Sequence, residues 1–237
     1  MKFSITGDNL QFVHVEIAPG ELVWGEAGSM VYFTGNVRME AKARGGLMGG
    51  LKRVLTQESF FVTEFTAESG PGVVAFAGRV PGKIAAIELH PGKSWIFQKD
   101  AFLAASSSVQ FDVAFQKRLG SVLFGGEGFI LQRFHGDGNL WVHSPGDLAE
   151  YNLAPGQVMK ISTGHAVGWE DTVAFDIQTV GGLKTAFFGG EGLFVTTLTG
   201  PGKVLMQSMT LAKLASALVP YLPHQSSGGP SINIGGR

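Results

Sequence analysis

The chain has 237 residues and 44% hydrophobic content, enough for one large β-rich domain whose core can form unaided. Its 18 Lys and Arg stand against 19 Asp and Glu, and a formal net charge of −1 offers no general attraction to nucleic acid or to an anionic membrane. Cysteine is absent, which excludes disulfides, thiolate metal sites and a cysteine nucleophile and suits a cytoplasmic protein.

Met1 leads directly into Lys2-Phe3-Ser4-Ile5-Thr6, without the basic segment, apolar run and small-residue cleavage site of an export signal. Gly, Pro or charge interrupts every apolar stretch well short of the roughly eighteen residues that a membrane-spanning helix needs, so no transmembrane segment is expected.

Val13 to Ile17 reads as a strand that ends in Pro19-Gly20, and Ile87-Glu88-Leu89 and Tyr151-Asn152-Leu153 run in the same way into Pro91-Gly92 and Pro155-Gly156. Proline presets φ at the first central position of a type II turn and glycine supplies the positive φ of the second. Alternating stretches follow at Val37 to Ala41, Val109 to Phe115 and Val173 to Gln178, the pattern of strands with one buried face.

Next come three segments with apolar spacing closer to helical, 47–55, 119–124 and 183–188, and each is followed by a Glu among small residues: Glu58, Glu127 and Glu191. Hairpin turns are then expected at Gly70-Pro71-Gly72, Gly136-Asp137-Gly138 and Gly200-Pro201-Gly202. Pro91 and Pro155 lie 64 positions apart, as do Glu127 and Glu191, so one unit recurs at a fixed period, at about 8–79, 80–143 and 144–207. No linker separates the copies, and a single domain over 1–222 is expected. Thr210 caps a helix with Leu211, Leu214, Ala215 and Leu218 on one face before Pro220, and 223–237 reads as a flexible tail.

The sequence carries no recognisable catalytic cluster. The Gly-Gly-Glu-Gly runs at 125–128 and 189–192 lack the Gly-Lys-Ser/Thr ending or the Gly-x-Gly-x-x-Gly opening of a phosphate loop. Glu58, Glu127 and Glu191 could converge on a cation or cationic ligand if the copies surround an axis, whereas capping of backbone amides is the ordinary role of such carboxylates. His135, Asp137 and His143 could meet across a hairpin, but no second set of zinc ligands accompanies them. Lys52-Arg53 and Lys117-Arg118 are too few for a nucleic-acid track, and Trp24, Trp95, Trp141 and Trp169 read as core residues.

The run Leu51-Lys52-Arg53-Val54-Leu55-Thr56-Gln57-Glu58-Ser59-Phe60-Phe61, with Gly45-Gly46-Leu47 before it and the later Gly-Gly-Glu-Gly copies, resembles the altered-inheritance-of-mitochondria twenty-four (AIM24) family. The resemblance spans the chain to about residue 222. It implies an all-β fold, a β-sandwich of the double-stranded β-helix type similar to the trp RNA-binding attenuation protein (TRAP), built here from three internal repeats with a short C-terminal helix. It implies no catalytic residues and no cofactor; mitochondrial members are linked to inner-membrane organisation and respiratory-complex assembly. The expectation is a non-catalytic scaffold, assembly or interaction protein that self-associates and has protein partners. The alternatives are a small-ligand or cation-binding protein using Glu58, Glu127 and Glu191, and RNA binding by fold analogy. Function belongs to sites rather than folds, so the analogy alone carries no RNA site.

Overall fold

A computed structural model describes residues 1–44, 60–117, 129–179 and 194–222. The expected helical segments at 47–55, 119–124 and 183–188 and the tail at 223–237 lie outside the described residues.

Strand β1 (Lys2–Thr6) leads into a first set of six: β2 (Phe12–Ile17), β3 (Leu22–Glu26), β4 (Met30–Phe33), β5 (Val37–Arg44), β6 (Phe60–Ala67) and β7 (Gly72–Ala77). A second set follows: β8 (Gly82–Leu89), β9 (Ser94–Gln98), β10 (Phe102–Ser106), β11 (Gln110–Lys117), β12 (Phe129–His135) and β13 (Gly138–Pro145). The last comprises β14 (Leu148–Leu153), β15 (Val158–Ser162), β16 (Ala166–Glu170), β17 (Ala174–Thr179), β18 (Phe194–Thr199) and β19 (Gly202–Gln207). Helix α1 (Leu211–Leu218) and a single 3₁₀ turn end the described chain, so the molecule is β-rich with one short C-terminal helix.

Within each set the first, sixth and third strands pair, and so do the fourth, fifth and second. The sets join edge to edge, β3 to β10 and β9 to β16, which gives sheets in the orders β1-β2-β7-β4, β5-β6-β3-β10-β13-β8, β11-β12-β9-β16-β19-β14 and β15-β18-β17. Every named pairing is antiparallel, as short hairpin connections require. Among the described residues, strands β4 and β15 each have a partner on one side only.

Local chemistry accounts for the corners. In all three Pro-Gly turns the amide after glycine donates to the carbonyl before proline: Glu21 to Ala18 (2.9 Å), Lys93 to His90 (3.0 Å) and Gln157 to Ala154 (2.9 Å). Gly20, Gly92 and Gly156 hold φ of 79°, 81° and 75°, a conformation that side chains oppose.

Three cores lie between successive sheets. Val13, Val15, Val74 and Phe76 of the first sheet pack with Val23 and Phe65 of the second. Trp24 and Phe102 meet Phe111 and Phe134 of the third, with the Trp24 and Phe102 rings 4.7 Å apart, while Ile96 and Trp169 pack on Ile177 and Leu198 of the fourth. All four tryptophans are buried, and Trp24 Nε1 donates to the Ser106 carbonyl at 3.0 Å.

Helix α1 begins as its sequence indicates, with the Lys213 amide donating to Thr210 Oγ1 at 3.1 Å. Its apolar face is not buried: Leu211 and Leu218 remain 42% and 51% exposed, and no residue of the helix belongs to a core.

Candidate functional site

The register of the sheets sets which side chains reach one end of the molecule. Glu26, Gln98 and Ser162 are the last residues of β3, β9 and β15, the second strand of each set. Ala77, His143 and Gln207 stand opposite Phe12, Ile84 and Leu148, at the matching register of the last strand of each set. These six positions line one cavity of about 80 Å³. The residues after β7 (Gly78, Arg79, Val80), the turns at 99–101 and 163–164, and Leu211 and Ala212 of α1 complete its wall. Such a volume admits several waters or a ligand of a few non-hydrogen atoms.

Glu26 is the principal ionisable group of this junction. Burial pushes its carboxyl up to about 7; Arg79 opposes the shift, nearby Asp100 reinforces it and Lys99 opposes it. The Arg79 guanidinium donates to Glu26 Oε1 but is itself 61% exposed, so water screens its effect. The carboxyl is therefore poised between its two protonation states near neutral pH, a condition that marks functional carboxyls more often than structural ones.

The opposite wall holds His143, 5% exposed, whose ring lies so close to Gly78 that a Cβ there would come within 2.4 Å of ring atoms. Burial lowers its pKa, favouring the neutral ring, and a hydrogen bond with the Val80 backbone opposes this. Gly78 is required by close approach rather than by a special φ.

The remaining polar side chains knit the turns together. Ser29 donates to the Glu26 carbonyl (2.8 Å) and the Leu103 carbonyl (3.1 Å), joining the first set to the second. Gln98 Nε2 donates to the Thr163 carbonyl (2.9 Å) and Gln207 Nε2 to the Gly164 carbonyl (2.8 Å), which fixes both amides with their oxygens turned from those carbonyls. Lys213 of α1 donates to His165 Nε2 at 2.6 Å, while His165 Nδ1 lies 2.7 Å from the Gln207 carbonyl. Leu103, Val167 and Phe194 supply apolar wall.

Glu58, Glu127 and Glu191, the residues singled out from sequence, all lie outside the described residues, as do Lys52, Arg53 and Arg118. His135 and His143 do not meet: His135 Nε2 lies 3.2 Å from Asp112 Oδ2 on the neighbouring strand, whereas His143 faces the cavity beyond the far end of β13. Among the described residues no group of three His, Asp or Glu side chains is placed to hold a metal ion, and no helix is long and apolar enough to cross a membrane.

Sequence reasoning passed over Glu26, Arg79 and Asp100, and considered His143 only as a partner of His135 and Asp137. The signal was positional: sliding the first set onto the second by 72 residues and the second onto the third by 64 superimposes Glu26, Gln98 and Ser162 at the ends of apolar strands.

Comparison with known proteins agrees with this architecture. Residues 3–209 match the family model described as mitochondrial biogenesis AIM24. An uncharacterized protein of Streptococcus pyogenes serotype M6 is 33% identical, over 96% of this chain and 93% of its own length. The X-ray crystal structure of a Streptococcus pyogenes protein superposes with a TM-score of 0.77 at 29% identity, covering 93% of this chain and 99% of that one.

Proposed function

This chain belongs to the mitochondrial biogenesis AIM24 family, and from that premise we propose that it is a non-catalytic binding module whose junction cavity holds a small ligand. One observation carries the reading: matching positions of all three strand sets converge on a single cavity that holds a carboxyl raised to about 7. A cavity at the meeting point of several structural units, mostly apolar with a few polar groups, is the usual form of a small-ligand site. The test is a fragment screen of mixed chemistry followed by amide chemical shifts. The reading expects shifts clustered at 77–80, 98–103 and 162–167; a screen in which no fragment moves these amides would refute it.

The unpaired sides of β4 and β15 favour a second role as a self-associating scaffold. Among the described residues, β3 and β9, the second strands of their sets, each find a third strand of the next set; β15 has none, and β4 is a third strand without such a mate. Exposed Val31, Tyr32 and Val158 lie on these edges, which are templates for strand addition. Native mass measurement decides it: oligomers that fall apart with Val158→Lys support the scaffold, and a strict monomer at all concentrations contradicts it.

We also read the three sets as copies of one unit of the TRAP-like double-stranded β-helix type. The shared pairing scheme and the three equivalent turns support this.

A further inference from the structure

Hydrogen-bonding capacity around the cavity is lopsided. Ser29 and the amide groups of Gln98 and Gln207 direct their donors at backbone carbonyls. Among the described residues, Glu26 Oε2 and the side-chain oxygens of Gln98 and Gln207 accept no hydrogen bond. In its neutral form His143 is linked to the Val80 backbone, so one ring nitrogen remains an acceptor, and Asp100 adds a second carboxylate to the wall. Arg79 is the main cationic donor in the wall, and it already serves Glu26 Oε1 from a largely solvated position. Arg79, Ser162 and the second N–H of each glutamine keep donor capacity, while Glu26 Oε2 and the side-chain oxygens of Gln98 and Gln207, one from each set, stay open as acceptors among the described residues.

A buried carboxyl that shares its cavity with two open amide oxygens favours a ligand with several donors and a positive charge. Among small biological groups that is the primary ammonium: three N–H donors, one positive charge and an apolar stem. Leu103, Val167 and Leu211 offer the stem a surface. A carboxylate or phosphate would instead face the carboxyls of Glu26 and Asp100.

We infer that the junction cavity binds a primary ammonium group, with Glu26 as its principal counter-ion and Gln98 and Gln207 as neutral acceptors. The inference rests on the ligand-binding reading above and narrows it to one chemistry. The same head group can come from a free alkylamine or from the lysine side chain of a partner protein. The charged and titratable groups around the site are Glu26 on β3, Arg79 after β7, Lys99 and Asp100 between β9 and β10, His143 on β13, and the His165–Lys213 pair. Burial raises the Glu26 carboxyl to about 7, so amine affinity rises with pH as its carboxylate forms.

The experiment is calorimetric titration of the full chain, with amide chemical shifts followed in parallel, using ethylammonium, Nα-acetyl-lysine methylamide, ethanol and acetate at pH 6 and pH 8. The expected result is that ethylammonium binds roughly tenfold more tightly at pH 8, from the ionised fraction of a group titrating near 7. Glu26→Gln loses at least about tenfold in affinity, as removal of the counter-ion of a desolvated charge should. Asp100→Asn, a milder change at an exposed position, lowers affinity about two- to threefold, while Glu40→Gln on β5, at the edge of the second sheet and outside the cavity lining, leaves it unchanged. Preference for ethylammonium indicates a free amine, and preference for the lysine derivative indicates a partner's side chain. Acetate or ethanol binding at 77–80 and 98–103 without amine binding overturns this inference and leaves the ligand-binding reading standing. Silence from every probe at these amides counts against both, and undiminished amine binding by folded Glu26→Gln overturns the inference alone.

Discussion

The aromatic core around Trp24 and the junction cavity around Glu26 are two residues apart in the chain and opposite in character. Trp24 is fully buried, stacks near Phe102 and Phe111, and has its one polar atom satisfied by Ser106. Glu26 ends the same strand in a cavity where burial disfavours its charged form. The core is arranged to gain from burial, whereas the junction retains a group that costs stability at neutral pH. Local choices that work against stability mark places where a chain meets another demand.

Substitutions should therefore differ between the two regions in sign as well as size. The largest effect is expected for Trp24→Ala, about 3–5 kcal/mol of lost stability from cavity formation, read by urea unfolding; a loss below about 1 kcal/mol would mean the aromatic cluster is not the core. Gly168→Ala comes next, because a Cβ there would meet Phe97 Cδ1 at 2.2 Å and the Ile96 carbonyl oxygen at 2.6 Å. Overpacking of that kind costs about 1–3 kcal/mol, and an unchanged unfolding midpoint would show that β9 and β16 can separate at no cost.

Glu26→Gln should move the other way. The folded-state pKa of about 7 exceeds the ordinary value of 4.5, so this group's contribution is fully present below about pH 4.5, declines between pH 4.5 and 7 and stays low above. The variant should gain roughly 1–2 kcal/mol on the parent at pH 8, after discounting for solvent screening and the lost Arg79 contact. It should show no gain at pH 4.5. A variant equally destabilised at both pH values would make Glu26 an ordinary structural ion-pair member. Thr210→Ala is the smallest change, about 1 kcal/mol from the missing cap; amide exchange should quicken in Leu211–Leu218 and not in β19, and faster exchange in both would show that helix and sheet open together.

The Pro-Gly corners at 19–20, 91–92 and 155–156 were legible in the sequence because each follows a strand and joins, in two adjacent residues, a preset proline φ to a glycine free to take positive φ. The alternating strands β5, β11 and β17 and the Thr210 cap were legible for the same local reason. The exposed face of α1 was not, since Leu211 and Leu218 carry the pattern of a buried stripe whether or not a sheet lies beneath them. The junction was least legible. Glu58, Glu127 and Glu191 drew the eye because the same residue recurs, yet the convergence that the described structure displays involves Glu26, Gln98 and Ser162, where the residue changes from set to set. Position recurs there and chemistry does not.

The most direct test is the carbon-13 titration of the Glu26 side-chain carboxyl with and without saturating ethylammonium. The account predicts a midpoint near 7 in the free protein and a midpoint about one unit lower with the amine bound, since a nearby cation favours the carboxylate. A midpoint at the ordinary glutamate value of 4.5, unmoved by the amine, would contradict it.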